Sequence, residues 1–411
     1  MKNVPVRLAD LRGMHRLGTD ATVGMTDLVE AMHDSILRSP AVLRRRSDGR
    51  TRGITGFVYS CVRGVTRLVA RTGDALLDAL DRHVDDAHSP PEREAVLAVL
   101  NGLLGDYLVD SGNTLAIAMA MRTNGAPLAL SRRALAQVFP LPATKLLVLV
   151  HGLCMNDLQW MRNGHDHGAA LAKDLGYTPV YLHYNTGRHI SGNGRDFSAA
   201  MERLVREWPY PIEQLTMLGH SMGGLVIRSG CHHAALARHT WPDRLDRLVF
   251  LGTPHLGAPL ERVGALAEFL MQISPYSAPF ARLGMARSAG IKDLGHGHLR
   301  DEDWQAKDRG TDRGGRAPVP LPRGVRCYAI AASRQERPGP ARGRIRGDGL
   351  VPVRSALGRS VDGARDLGLR DDRCWIGYRS NHFDLLDRAD AYRTIRNWLD
   401  DGRRRRGSGR R

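Results

Sequence analysis

"MLGHSMGGLVIRSG", residues 217–230, joins the end of an apolar run, a serine between glycines and the start of a helical pattern. Gly219-His220-Ser221-Met222-Gly223 has the spacing G-x-S-x-G. A strand that turns at once into a helix holds such a serine in a strained backbone conformation with its hydroxyl presented outward. Glycine neighbours let the strand and the helix pass closely. The strain, on the order of 1–3 kcal/mol, is tolerable because Oγ then stands at a helix N-terminus, where negative charge is stabilised. Taken alone, Ser221 is either a nucleophile or a small residue that fits a tight turn.

On either side of this stretch the chain alternates short apolar runs with helix-length segments. The runs are "KLLVLV" (145–150), "PVYLHY" (179–184), "LTMLG" (215–219), "RLVFLG" (247–252), "RCYAIA" (326–331) and "CWIGY" (374–378). That alternation predicts crossover units and a parallel sheet covered on both faces. Ahead of it, "TLAIAMAM" (114–121), the turn pair Asn124-Gly125 and "APLALS" (126–131) predict an antiparallel hairpin. The expected fold class is α/β: a mostly parallel eight-stranded sheet with an N-terminal hairpin, flanking helices, a helical cap insert and an N-terminal helical extension. The cap is expected at about 257–324, where the connection between two strands is far longer than a compact domain needs.

Residues 1–111 read as helices. Asp27 is placed as a cap with Glu30 three positions on. A later pattern sets Ile54, Phe57, Val58 and Cys61 on an apolar face, with Arg63, Arg67 and Arg71 on a basic one. "SPPE" offers Ser89 as N-cap, Pro90 at N1 and Glu92 at N3 of a third helix.

Composition narrows the class. With 42% hydrophobic and 25% charged residues, the chain is expected to be globular, not disordered. Its five cysteines are scattered without a C-x-x-C pair, which speaks against a disulfide framework or a zinc site. No apolar signal region or membrane-length run is read, so a cytoplasmic protein is expected, with peripheral membrane attachment as a further option. The net charge of +17 includes the terminal "GRRRRGSGRR" (402–411). Such a tail is either a solvated solubility aid or a contact for anionic membrane; nucleic acid is not the expected partner.

A serine hydroxyl needs a base, and the base needs a carboxylate. Asp348 lies in "GDGLVP" beyond the seventh strand, and His382 in "YRSNHFDLL" beyond the eighth. The order Ser, Asp, His is satisfied, and both residues fall at the carboxyl edge of the sheet. His151-Gly152-Leu153 follows "KLLVLV", so the amides of Leu153 and Met222 are the candidate oxyanion donors. Asn185 and Arg188, in a polar loop after the fourth strand, and His255 are candidate substrate contacts. His165-Asp166-His167, His232-His233 and Asp371-Asp372 lack metal-ligand spacing, and no metal or cofactor is expected.

Five stretches, "LLVLVHGL", "LGHSMGGLVIRS", "VFLGTPHLGAPL", "GDGLVPVRSALG" and "NHFDLL", give residues 112–400 a resemblance to α/β-hydrolase lipases and esterases. The chain is most similar to bacterial triacylglycerol lipases and the GPI inositol-deacylase-like branch. The resemblance implies Ser221 as nucleophile, His382 as base, Asp348 as its orienting acid and Leu153 and Met222 as oxyanion amides. It also implies an acyl or lipid ester as substrate, an acyl-enzyme, and a lid formed by the insert. An acyltransferase or thioesterase would use the same triad, and a membrane- or nucleic-acid-associated binding protein on a hydrolase scaffold is the reading from another class. The domains expected are 1–111, helical; 112–400, hydrolase; and 401–411, a disordered basic tail.

Overall fold

The computed structural model describes residues 7–37, 59–60, 63–64, 90–141, 143–258, 288–308, 318–336, 347–360, 363 and 365–400. Most of the helix expected over 54–71, much of the expected cap and the tail 401–411 lie outside the described residues. The chain divides into two compact units, one of Met1–Arg93 with Leu108–Ala116, the other of Glu94–Tyr107 with Ile117–Arg411. Among the described residues no helix is long and apolar enough to cross a membrane.

In the first unit, α1 runs unbroken over Leu8–Leu37. Its first turn is closed by Asp10, whose carboxylate accepts the Arg7 amide at 3.1 Å and pairs with Arg93 at 2.5 Å. The cap expected at Asp27 is therefore corrected: Asp27 lies inside α1. Asp27 and Glu30 instead meet Arg63, whose Nη1 is 2.9 Å from Asp27 and also paired with Glu30. Arg63 is buried, so the sequence pattern that put it on a wet basic face is corrected as well. The next helix, α2 (Pro91–Asp110), opens one residue later than expected, again with proline at its first position; Ser89 lies outside the described residues.

The second unit holds the sheet. Its strands are β1 (Ala120–Thr123), β2 (Ala126–Pro127), β3 (Lys145–Val150), β4 (Thr178–His183), β5 (Gln214–His220), β6 (Leu245–Leu251), β7 (Arg326–Ser333) and β8 (Cys374–Tyr378). They lie in the order β2-β1-β4-β3-β5-β6-β7-β8. The edge strand is β2; β1 pairs antiparallel with both β2 and β4, and all later pairs are parallel. Asn124 (φ 49°) and Gly125 (φ 75°) make the hairpin turn, as expected of a pair that accepts positive φ. The hairpin is shorter than "TLAIAMAM" predicts. The Leu115 amide bonds the Asn113 side chain at 3.0 Å, and the Ile117 amide bonds Asn101 Oδ1 at 2.9 Å, so these amides do not serve a strand ladder.

The central strands β3, β5 and β6 are buried along nearly their whole length, which is why they read as continuous apolar runs. The flanking helices are α3 (Arg132–Val138), α4 (His167–Leu175), α5 (Ile190–Glu207), α6 (Met222–Ala237), α7 (Ala289–His296), α8 (Asp301–Asp308), α9 (Val353–Ala356) and α10 (Ala389–Leu399). Neighbouring parallel strands end together, so the segments that follow β3, β5, β6, β7 and β8 meet at one edge.

Candidate active site

Ser221 occupies the single step between β5 and α6, at φ 53° and ψ −122°. Its amide donates to the Leu251 carbonyl at 2.8 Å, which ties the turn to the end of β6. The flanking glycines are sterically required. A Cβ on Gly223 would come within 2.1 Å of the Val150 carbonyl oxygen, and one on Gly219 within 2.7 Å of the Gly224 Cα. Either would push backbone against backbone.

His382 Nδ1 stands 2.7 Å from Asp348 Oδ2, with both side chains 1% exposed. The other oxygen, Oδ1, accepts the amides of Leu350 and Val351, each at 2.8 Å. This carboxylate is oriented by three donors, and because an ionised carboxylate only accepts, the ring proton sits on Nδ1. The lone pair is left on Nε2, which is buried and has no hydrogen-bond partner among the described residues.

The loop carrying the imidazole is itself pinned. Asn381 Oδ1 accepts the amides of Phe383 and Asp384, while Asp384 Oδ2 accepts the Asn381 amide at 2.8 Å. Gly252 forms the seat of the ring: at φ 59°, a Cβ there would lie 3.0 Å from His382 Cε1 and 3.2 Å from Nδ1. The Leu251-Gly252 step thus receives the Ser221 amide with one residue and flanks the His382 ring with the next. The neighbouring ring of His220 has its centroid 4.8 Å from that of His382.

The turn after β3 lies against the serine, since a Cβ on Gly152 would be 3.0 Å from Ser221 Cβ. Leu153 is buried, and its amide makes no hydrogen bond among the described residues. The Met222 amide, at the first position of α6, has no intrahelical acceptor. Tyr184 holds this turn by donating to the His151 carbonyl at 2.8 Å, and Thr186 by accepting the Cys154 amide at 3.0 Å. Burial pushes His151 down to about 3 and holds His220 well below the ordinary histidine value. Both rings are neutral neighbours of the site.

The other candidates fall in different surroundings. Asn185 is buried, with Nδ2 donating to the Gly105 carbonyl at 2.9 Å and Oδ1 accepting the Gly187 amide at 3.0 Å. Both ends of its amide brace the loop. Arg188 pairs with Asp196 at 2.5 Å on a partly exposed surface. His255 is buried with Nδ1 3.3 Å from Arg228 Nη1. Among the described residues no group of three or more histidine, cysteine or acidic side chains is arranged to hold a metal ion.

Sequence reasoning missed Gly252, the Asn381–Asp384 pair and the Tyr184 and Thr186 braces. The N-x-x-D spacing of "NHFD" was a legible signal for the second of these. Gly252 had none beyond following an apolar run.

The sheet order, the sharp strand–serine–helix turn and the chain order of serine, aspartate and histidine are those of the α/β-hydrolase fold. Within it, residues 145–309 match the family model described as a PGAP1-like alpha/beta domain. No curated protein sequence matches the chain. Among solved structures, mature Bacillus licheniformis lipase BlEst2 is similar at 17% identity and a TM-score of 0.38, over 69% of this chain and 96% of that one. Aspergillus fumigatus lipase B is similar at 12% identity and a TM-score of 0.38, over 68% and 55%. An esterase of Pyrococcus furiosus is similar at 13% identity and a TM-score of 0.35, over 62% and 81%.

Proposed function

We propose that this chain is a serine hydrolase of carboxylic esters, acyl or lipid, working through an acyl-enzyme. Ser221 Oγ attacks the ester carbonyl while His382 Nε2 takes its proton. The carbonyl oxygen becomes an oxyanion facing the Leu153 and Met222 amides, each such donor lowering the barrier by roughly 2.7–4 kcal/mol. The tetrahedral intermediate collapses, His382 returns the proton to the departing alkoxide, and the alcohol leaves. Water then attacks the acyl-enzyme with His382 again as base, releasing the acid and the free serine. Asp348 holds the imidazole in the tautomer that leaves Nε2 unprotonated and stabilises the imidazolium formed in each half-reaction.

The observation that carries this reading is a convergence on one turn: Ser221 stands at the strained step between β5 and α6 with its amide on Leu251, the next residue, Gly252, seats the His382 ring, and Nδ1 of that ring is fixed by the buried Asp348. With Nδ1 engaged by the carboxylate, Nε2 keeps a lone pair for the hydroxyl proton. The test is covalent mapping with a fluorophosphonate, followed by turnover of nitrophenyl esters of increasing chain length. The adduct is expected on Ser221 and nowhere else. Labelling at another residue, or undiminished turnover by Ser221→Ala, overturns the assignment. For the basic tail, peripheral contact with anionic membrane is the accompanying proposal, read by salt-sensitive vesicle binding with and without residues 402–411.

A further inference from the structure

Arg247 and Arg228 are both buried in the second unit, and their surroundings differ. Arg247 lies 3.4 Å from Asp246 Oδ2 and donates to the Leu399 carbonyl. Arg228, in the middle of α6, donates from Nη2 to the Val319 carbonyl at 2.6 Å and approaches His255 Nδ1 with Nη1 at 3.3 Å. Its Nε has no partner, and no carboxylate among the described residues lies within ion-pair distance. A guanidinium only donates, so His255 Nδ1 accepts and the ring proton sits on Nε2. That N–H is also buried and unpartnered. Burial and the adjoining cation hold His255 well below the ordinary histidine value, so the ring stays neutral. One full positive charge and two free donors are left in the interior without an acceptor, a costly arrangement for a folded protein.

Both side chains line one cavity of about 340 Å³, room for on the order of ten waters and within the size range of small-ligand sites. Leu299, Val319 and Leu321 give it an apolar wall, and Arg365 adds a second cation. The two acids that border it are engaged. Asp303 takes the Arg300 side chain at 2.7 Å and the amides of Leu299 and Arg300, and Asp366 takes the Ser360 amide. Arg228 lies seven residues beyond Ser221, roughly 10 Å along the helix axis, and none of Ser221, Asp348 and His382 lines this cavity.

We propose that the cavity is a second ligand site, taking the carboxylate of a medium-chain apolar acid, with its head group on Arg228 and His255 and its chain along the leucine and valine wall. A charged acceptor there neutralises the Arg228 cation, which no carboxylate among the described residues does. Acids of this kind are also what an ester hydrolase releases. That source for the occupant rests on the proposed activity, whereas the site itself does not.

The experiment measures octanoate binding by calorimetry to the full chain carrying Ser221→Ala, with octanol and acetate as probes of the charge and of the chain. Octanoate is expected to bind, octanol and acetate at least about tenfold more weakly. Adding Arg228→Gln is expected to weaken octanoate about tenfold or more at an unchanged melting temperature, and Arg365→Gln, at the exposed rim, about threefold. Should Arg228→Gln fail to fold, Arg365→Gln and the fall of affinity between low and high salt carry the test. Octanoate affinity unchanged by both substitutions and by salt overturns the proposal, as does octanol binding equally well. Wild-type protein labelled at Ser221 with a long-chain fluorophosphonate is expected still to bind octanoate; loss of binding there assigns the acid to the acyl pocket and overturns it too. Because binding is read on a chain without the nucleophile, failure here leaves the hydrolase reading intact, and failure of Ser221 labelling leaves this one intact. Progress curves that slow in the wild type but not in Arg228→Gln name the reaction product as the occupant; equal curves, with binding present, name an acid from another source.

Discussion

His382 and His255 are both buried, both follow strands of one sheet, and both leave Nε2 without a partner among the described residues. What differs is the group on Nδ1. Asp348 on His382 draws the proton to Nδ1 and leaves a lone pair on Nε2; Arg228 on His255 occupies the Nδ1 lone pair and leaves an N–H. One ring can accept a proton and the other can only donate a hydrogen bond. On the two proposals above, the same side chain serves as a base or as an anion binder according to the sign of its neighbour.

The comparison breaks most readily at the serine. Ser221→Ala is expected to lower ester turnover by about 10⁴-fold or more, as removal of a nucleophile does elsewhere, with the melting temperature changed little; steady-state kinetics on nitrophenyl esters check it. Asp348→Asn comes next, at roughly 10³–10⁴-fold in kcat. The amide can present its NH₂ to Nδ1, which moves the ring proton to Nε2 and gives His382 the tautomer that His255 already has. Retention of most activity by Asp348→Asn would show that the neighbour on Nδ1 does not set the role of the ring. Gly252→Ala is smaller, about 10–100-fold in kcat. Its Cβ would press within 3.0 Å of His382 Cε1 from a backbone at φ 59°, and a misplacement of the base by about 1 Å costs about that much. A full-rate Gly252→Ala enzyme would remove that glycine from the account of how the imidazole is seated.

The His382 half of this comparison was legible in the sequence and the His255 half was not, for a physical reason. Ser221 and His382 come within four residues of the ends of β5 and β8, and Asp348 follows β7 after a longer loop; strands announce themselves by apolar runs, so chain order assigns all three to the carboxyl edge of the sheet. The six strands with parallel neighbours fall within two residues of the apolar runs that marked them, and in β3, β5, β6 and β7 burial on both faces leaves that pattern unbroken. Arg228 sits on a helix whose pattern gives no sign that one of its faces turns a cation toward a cavity. Its partners, His255 and Val319, come from distant parts of the chain. The cap misread at Asp27 has the same origin: an acid followed by another three residues on matches a helix start, and equally matches one face of a long helix that receives Arg63.

The smallest expected effect is on stability, and it sharpens the comparison without touching catalysis. Burial holds His255 and His220 well below the ordinary histidine value, His151 at about 3 and His167 at about 4. Each is neutral in the fold and free to take a proton once unfolded. As pH falls below about 6.5, the unfolded chain therefore binds protons that the native state refuses, and the free energy of unfolding drops by up to about 1.4 kcal/mol per pH unit for each such ring. The loss begins near pH 6.5 and continues until the folded-state value is reached; above that pH these rings add no slope. His255→Gln removes one of them, so the drop in unfolding free energy between pH 7 and pH 5, read from urea titrations, is expected to shrink by about 2 kcal/mol. An unchanged drop would mean that His255 carries a proton on both nitrogens in the fold. In that case Arg228 could not be donating to Nδ1, and the contrast with His382 would have to be redrawn as one between two cations and a base.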